Sequence, residues 1–155
     1  MVIRPASAVD YTAIMVVWES AVAATHDFLD PADFNLFKTL IPENFLPQLD
    51  VFAIEDAKGN MLAFFSVSAD NLEMLFVHDT ARGKGIGRLA ISYILERLKV
   101  YKVDVNEQNQ QAVDFYLKMG YRQTGRSERD GMGKAYPLLH LQYLLDANND
   151  HKELF

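Results

Sequence analysis

The chain has no cysteine. That removes disulfides, thiolate zinc sites and a cysteine nucleophile, and it suits a cytoplasmic protein. Long apolar runs are missing too. No stretch approaches the ~20 residues that span a bilayer. The opening Met1-Val2-Ile3-Arg4-Pro5 has no basic segment ahead of an apolar core, so neither a membrane span nor a secretion signal is expected. Positive charge is in deficit: 15 Lys and Arg stand against 21 Asp and Glu, a formal charge of −6. Nucleic acid is therefore not expected as a partner, whereas a cationic small molecule or basic peptide is favoured. Nothing in the sequence calls for a metal. Half of the 155 residues are apolar, which predicts a folded domain over residues 1–145 and a polar, mobile tail over 146–155.

Glycine is also scarce, yet Gly83, Gly85 and Gly87 alternate within one short stretch, flanked by Arg82, Lys84 and Arg88. Before them, Leu72 to Val77 is a short apolar run that reads as a buried strand. After them, Ile86, Leu89, Ala90, Tyr93, Ile94 and Leu98 recur at helical spacing. Strand, glycine-rich turn and helix in that order aim bare N–H groups and a helix's positive end at one point, a site for a phosphate ester. A magnesium-binding phosphate loop would need Ser or Thr after Gly83-Lys84, where Gly85 stands. A dinucleotide fingerprint would need glycine where Arg88 stands. The pattern that fits is Arg-x-x-Gly-x-Gly, filled by Arg82, Gly85 and Gly87.

The remaining chain reads as follows. Val2 to Pro5 is a first strand, and Ser7 with Asp10 opens a helix to about Thr25. Asp30-Pro31 starts a second helix carrying Phe34, Phe37, Leu40 and Ile41, which Pro42 is expected to stop. Asp50 to Glu55 and Met61 to Ser68 are strands joined by a turn at 56–60. Val100 to Val105 is a strand, Asn109 caps a helix from Gln110 to Met119, and Tyr121 to Ser127 and Leu138 to Tyr143 complete seven strands and four helices.

The loop, together with Asn109, Ala112, Phe115-Tyr116 and Gly120-Tyr121 at the right distance downstream, resembles the GNAT-type acetyl-CoA-dependent N-acetyltransferases. The similarity runs from about Val2 to Leu145. Thr25-His26-Asp27-Phe28-Leu29 and Tyr136-Pro137-Leu138-Leu139 are similar to a bacterial subgroup of that family. The resemblance implies an α/β (α+β) fold: a mixed, mostly antiparallel seven-stranded sheet with about four helices on both faces, its fourth and fifth strands splayed to admit the cofactor. It implies acetyl transfer from acetyl-CoA to a primary amine of a small molecule or peptide, by a monomer or homodimer.

It also implies roles. Backbone and side chains from Arg82, Gly83, Lys84, Gly85, Ile86, Gly87 and Arg88 would hold the pyrophosphate. Leu75, Phe76 and Val77 on the fourth strand, with Asn109 and Ala112, would line the cofactor's arm, an N–H of Phe76 or Val77 facing the oxyanion. Tyr116 would return a proton to the leaving thiolate. An alkyl amine of pKa about 10.4 is almost wholly protonated at neutral pH. A base is therefore wanted: Glu73, unusual in an apolar strand, or His26, expected to titrate near pH 7. Trp18, Thr25, His26, Phe28, Leu29 and Tyr136 would form the acceptor pocket. Two other readings remain at this point. One is a non-catalytic acyl-CoA-binding or sensing module, which needs the loop but neither Glu73 nor Tyr116. The other is a nucleotide binder that prefers ATP to CoA.

Overall fold

A computed structural model of the chain describes residues 1–144; the expected tail over 146–155 lies outside them. Seven strands are hydrogen-bonded in the order β1-β2-β3-β4-β5-β7-β6, the sheet expected from the sequence. They are β1 (Val2–Pro5), β2 (Asp50–Glu55), β3 (Met61–Ser68), β4 (Asn71–Val77), β5 (Lys102–Asn106), β6 (Tyr121–Ser127) and β7 (Leu138–Tyr143). The helices are α1 (Tyr11–Thr25), α2 (Pro31–Leu40), α3 (Ile86–Tyr93) and α4 (Gln110–Lys118). The chain divides into two compact units, one of residues 1–68 and 73–87, the other of residues 69–72 and Arg88 onward.

In the first unit β1, β2 and β3 pair antiparallel. The β2–β3 turn is held by Asp56, whose carboxylate accepts from the N–H groups of Lys58 and Asn60, while Gly59 takes φ +83. Ile14, Val17, Trp18 and Val22 of α1 form the buried stripe, packed with Ile41, Leu46, Val51 and Phe64. The entry to α1 is fixed by charge and capping. The Asp10 carboxylate accepts from the Ser7 N–H at 2.9 Å and pairs with Arg4, which also binds Glu55 at 2.6 Å. The Arg4 guanidinium, and then the Ser7 N–H, hold the Asp10 carboxyl below its ordinary range. The first turn after Ser7 is a tight one, Ala8–Asp10, and the α-helix proper begins at Tyr11.

The second α-helix stops at Leu40, just before Pro42, as expected, but the winding does not end there. After Leu40 the backbone widens into a π-type turn, Ile41–Phe45, and then a tight turn, Leu46–Gln48. Proline sits near the start of the wide turn, where its missing N–H is least costly. Leu89, expected on the apolar stripe of α3, is 36% exposed, while Ile86, Ala90, Ile91 and Ile94 are buried. The buried arc is turned toward Ile91 and Leu95, away from Leu89.

In the second unit β5, β7 and β6 pair antiparallel, and β5 begins at Lys102 instead of Val100. Asn71 and Leu72 of β4 pair in parallel with Lys102 and Val103. Asn109 caps α4, its side-chain oxygen accepting from the Ala112 N–H at 3.3 Å, as its sequence position predicts. Gly120, with φ +108, follows the helix, and a Cβ there would lie 3.0 Å from the Tyr143 ring.

Candidate active site

The loop after β4 is built to present amides. His78 caps a short turn, Asp79–Ala81, its Nδ1 accepting from the Thr80 N–H at 3.2 Å, and the Asp79 N–H donates to Ser20 Oγ at 3.0 Å. The chain leaves that turn with Arg82 extended at φ −68. Gly83 then takes φ +76, Lys84 stays in the negative-φ half, Gly85 takes φ +78, and α3 begins at Ile86. Alternating signs of φ turn successive N–H groups toward one concavity, the anion nest. A Cβ added at Gly83 or Gly85 would meet no heavy atom within 4 Å, so glycine is needed there for its backbone angles, and the space beside the loop is open. Arg82, Lys84 and Arg88 are exposed, Arg82 with Asp79 at 3.8 Å, and Gly87 lies inside α3. A diphosphate fits this donor set: several amides, a helix N-terminus and exposed cations.

β4 separates the two base candidates. Glu73 shares a strand face with Leu75 and Val77, and Phe76 projects from the other. Glu73 is exposed and accepts from Ser68 Oγ at 2.5 Å. On the other face, Phe76 lies 6.1 Å from the His26 ring and 5.7 Å from Phe64. His26, following α1, sits 5.0 Å from Phe28. The Thr25 hydroxyl donates to the Ala21 carbonyl at 2.7 Å and lies 2.7 Å from His26 Nδ1. Its single proton being used, the hydroxyl accepts from Nδ1–H, which leaves the Nε2 lone pair as the ring's basic position. Burial among these groups, opposed by Asp27, pushes the His26 imidazole down to about 4. Burial thus favours the neutral imidazole, an acceptor at Nε2, over the charged form expected to share the range near pH 7. Trp18 is 3% exposed and stacks on Phe34 at 5.2 Å, deep in the core, with Leu29 partly buried beside it.

The second unit carries Asn109, Ala112, Tyr116 and Tyr136. Tyr116 is 6% exposed, with edge-to-face contacts to Phe115 at 5.3 Å and Tyr121 at 5.4 Å. Among the described residues, the enclosed side-chain polar atom without a partner is Ser66 Oγ. Tyr116 is enclosed, its ring held against Phe115 and Tyr121. Burial, and then Tyr121, push its phenol well above the ordinary value near 10. It stays protonated, a donor and not a base. Tyr136 is buried, near the end of a loop that Asp130 ties by accepting from the Met132 and Lys134 N–H groups at 2.9 Å. Sequence reasoning missed Ser68 as the partner of Glu73; the β3–β4 turn, Ala69 at φ +44, brings them together.

Comparison with known proteins shows which class of protein carries this fold and loop: the acyltransferases that acetylate amines. A family model described as acetyltransferase (GNAT) domain matches residues 48–135. The chain is 37% identical over 131 residues to a protein named peptidyl-lysine N-acetyltransferase YjaB from Escherichia coli K12, covering 84% of this chain and 88% of that one. The Salmonella typhimurium protein of the same name is 38% identical over 130 residues, covering 84% and 89%. The solution structure of apo-form YjaB from Escherichia coli superposes with a TM-score of 0.85 at 36% identity, over 93% of this chain and 99% of that one. The chain belongs to the GNAT acetyltransferase family and is an N-acetyltransferase.

Proposed function

We propose that this N-acetyltransferase, one catalytic domain over residues 1–145, moves the acetyl group of acetyl-CoA directly onto the ε-amine of lysine in a peptide or protein. The observation that carries the cofactor assignment is the alternation of φ across Arg82 to Gly85, a cradle for a diphosphate. The lysine assignment is supported by the names of the relatives at 37% and 38% identity, and by the net charge of −6, which draws basic peptides.

Acetyl-CoA, when bound, supplies a thioester, an acyl group activated for attack by nitrogen. The chain's residues do the rest. The amides of residues 83–87 hold the diphosphate, and Arg82, Lys84 and Arg88 add charge worth about 0.3–1 kcal/mol each. The base reading best supported is His26. Its Nε2 lone pair is free and its neutral ring does not repel an incoming ammonium. So weak a base does not deprotonate a free alkyl ammonium; it would accept the proton, directly or through water, from the attacking nitrogen only as the C–N bond forms and that nitrogen becomes acidic. Glu73, on the opposite face of β4, remains the alternative. A backbone N–H of Phe76 or Val77 stabilises the oxyanion, and the Tyr116 hydroxyl gives its proton to the thiolate as the amide forms. Phe28 and Thr25 flank the acceptor's approach to His26, with Leu29 and Trp18 as backing; Tyr136 is assigned to the acceptor site by resemblance.

The test is thiol release from acetyl-CoA with three acceptors: a basic peptide with free lysines and a blocked N-terminus, the same peptide with its lysines blocked and N-terminus free, and spermidine. Turnover on the first alone is expected. Preference for either of the others overturns the lysine assignment, and thiol release with none returns the chain to a CoA-binding module.

A further inference from the structure

Across β5, β7 and β6 three polar side chains form a line that the acetyl transfer does not use. Asp104 on β5 is paired in register with His140 on β7, and Ser127 ends β6 two residues beyond Gly125, the partner of His140. Asp104 Oδ1 lies 2.6 Å from His140 Nδ1, and His140 Nε2 lies 2.7 Å from Ser127 Oγ. The bonding direction is fixed by the acceptor at one end. An ionised carboxylate can only accept, so Nδ1 carries the proton, Nε2 carries the lone pair, and the Ser127 hydroxyl donates to it. The ring is held from other sides as well. Gly125 leaves a Cβ-free space against the imidazole, where an added carbon would meet Cδ2 at 3.4 Å. The His140 carbonyl accepts from Thr124 Oγ1 at 3.2 Å. Asn71 Nδ2 approaches the other oxygen of Asp104 at 3.5 Å. All of these residues lie within the second unit.

Nucleophile, base and orienting carboxylate, each on the correct nitrogen, is the arrangement that activates serine toward acyl groups on unrelated folds. We propose that Ser127, with His140 as base and Asp104 orienting it, is a second acyl-transfer centre, a serine that accepts acyl groups from aryl esters or thioesters. Ser127 Oγ forms a bond to the acyl carbon as the bond to the leaving oxygen or sulfur breaks. The serine proton passes to His140 Nε2 and then to the departing alcohol or thiol. A water molecule, deprotonated by His140, then cleaves the acyl-serine, releasing the carboxylic acid and restoring the hydroxyl. His140 and Asp104 side chains are 35% and 37% exposed, so solvent screens the carboxylate's help, and the centre is slow beside a buried one.

The test uses the intact protein, a fluorophosphonate probe and p-nitrophenyl acetate. A single adduct that peptide mass mapping places on Ser127 is expected, as is p-nitrophenyl acetate hydrolysis that Ser127→Ala abolishes. His140→Gln, which keeps a polar side chain of similar reach, is expected to slow adduct formation at least about a hundredfold, and Asp104→Asn at least about tenfold. Circular dichroism establishes that each variant is folded, and the adduct on the unaltered protein does not depend on any variant. Absence of an adduct on Ser127 overturns the proposal, as does equal labelling of folded His140→Gln. Either result leaves the three residues as a hydrogen-bonded ladder that only stiffens the sheet.

Discussion

At the scale of single residues, two protonation states decide the chemistry, and both are set by burial. Tyr116 is a donor whose phenol is held above its ordinary value by its apolar surroundings. It can deliver a proton only if placed on the departing sulfur, so its value lies in position and not in acidity. Tyr116→Phe keeps the ring contacts to Phe115 and Tyr121. Turnover is expected to fall at least tenfold with CoA affinity unchanged, which steady-state thiol release and calorimetry measure; unchanged turnover removes Tyr116 from the mechanism. His26 is held at about 4 by desolvation. The rate at subsaturating acceptor is then expected to climb from pH 6 to 9 with the free amine, with no inflection near 6.5. An inflection there that His26→Gln removes would contradict the burial of the ring. The sequence placed both residues by resemblance, but it could not give their states. Those depend on Phe28, Phe76 and Tyr121, which come close only after folding.

At the scale of elements, the loop between β4 and α3 was the most legible part of the chain. Two glycines in the left-handed region, with a negative-φ residue between them, can be anticipated from glycine at alternate positions beside cations. Gly85→Ala tests the geometry cleanly, because an added Cβ meets nothing within 4 Å and the cost is backbone strain alone. Strain of roughly 1–2 kcal/mol is expected to raise the CoA dissociation constant about tenfold, measured by calorimetry. Lys84→Ala, which removes one exposed charge, is expected to cost no more than about 1 kcal/mol. Asn109 was equally legible as a cap, and Asn109→Ala is expected to lower stability by about 1 kcal/mol in a urea titration. The second helix was legible as far as its end at Leu40 before Pro42; what the sequence did not show is the wide turn, Ile41–Phe45, that carries the winding on with Pro42 near its start. The Asp104–His140–Ser127 line was invisible in the sequence. Its members lie 36 and 13 positions apart, and only the β5–β7–β6 register brings them together.

At the scale of the whole molecule, the fold class and the count of seven strands followed from seven apolar segments, four helical ones and the family resemblance, whereas the strand order came only with the structure; among the described residues no helix is long and apolar enough to cross a membrane. Stability carries the signature of His26. Its folded value of about 4 lies below the ordinary 6.5, so the unfolded chain binds the proton more readily in that window. The contribution is complete above pH 6.5 and is lost as pH falls to about 4, by roughly 3 kcal/mol at most. Urea titrations at pH 7 and pH 4.5 are expected to show a larger loss for the native sequence than for His26→Gln, and equal losses would contradict the assignment. The measurement that bears most directly on the whole account is a crystal structure of the CoA complex. The account predicts diphosphate oxygens about 2.9 Å from amide nitrogens of residues 83–87. A diphosphate bound elsewhere, or a loop filled by one of the protein's own side chains, would contradict it.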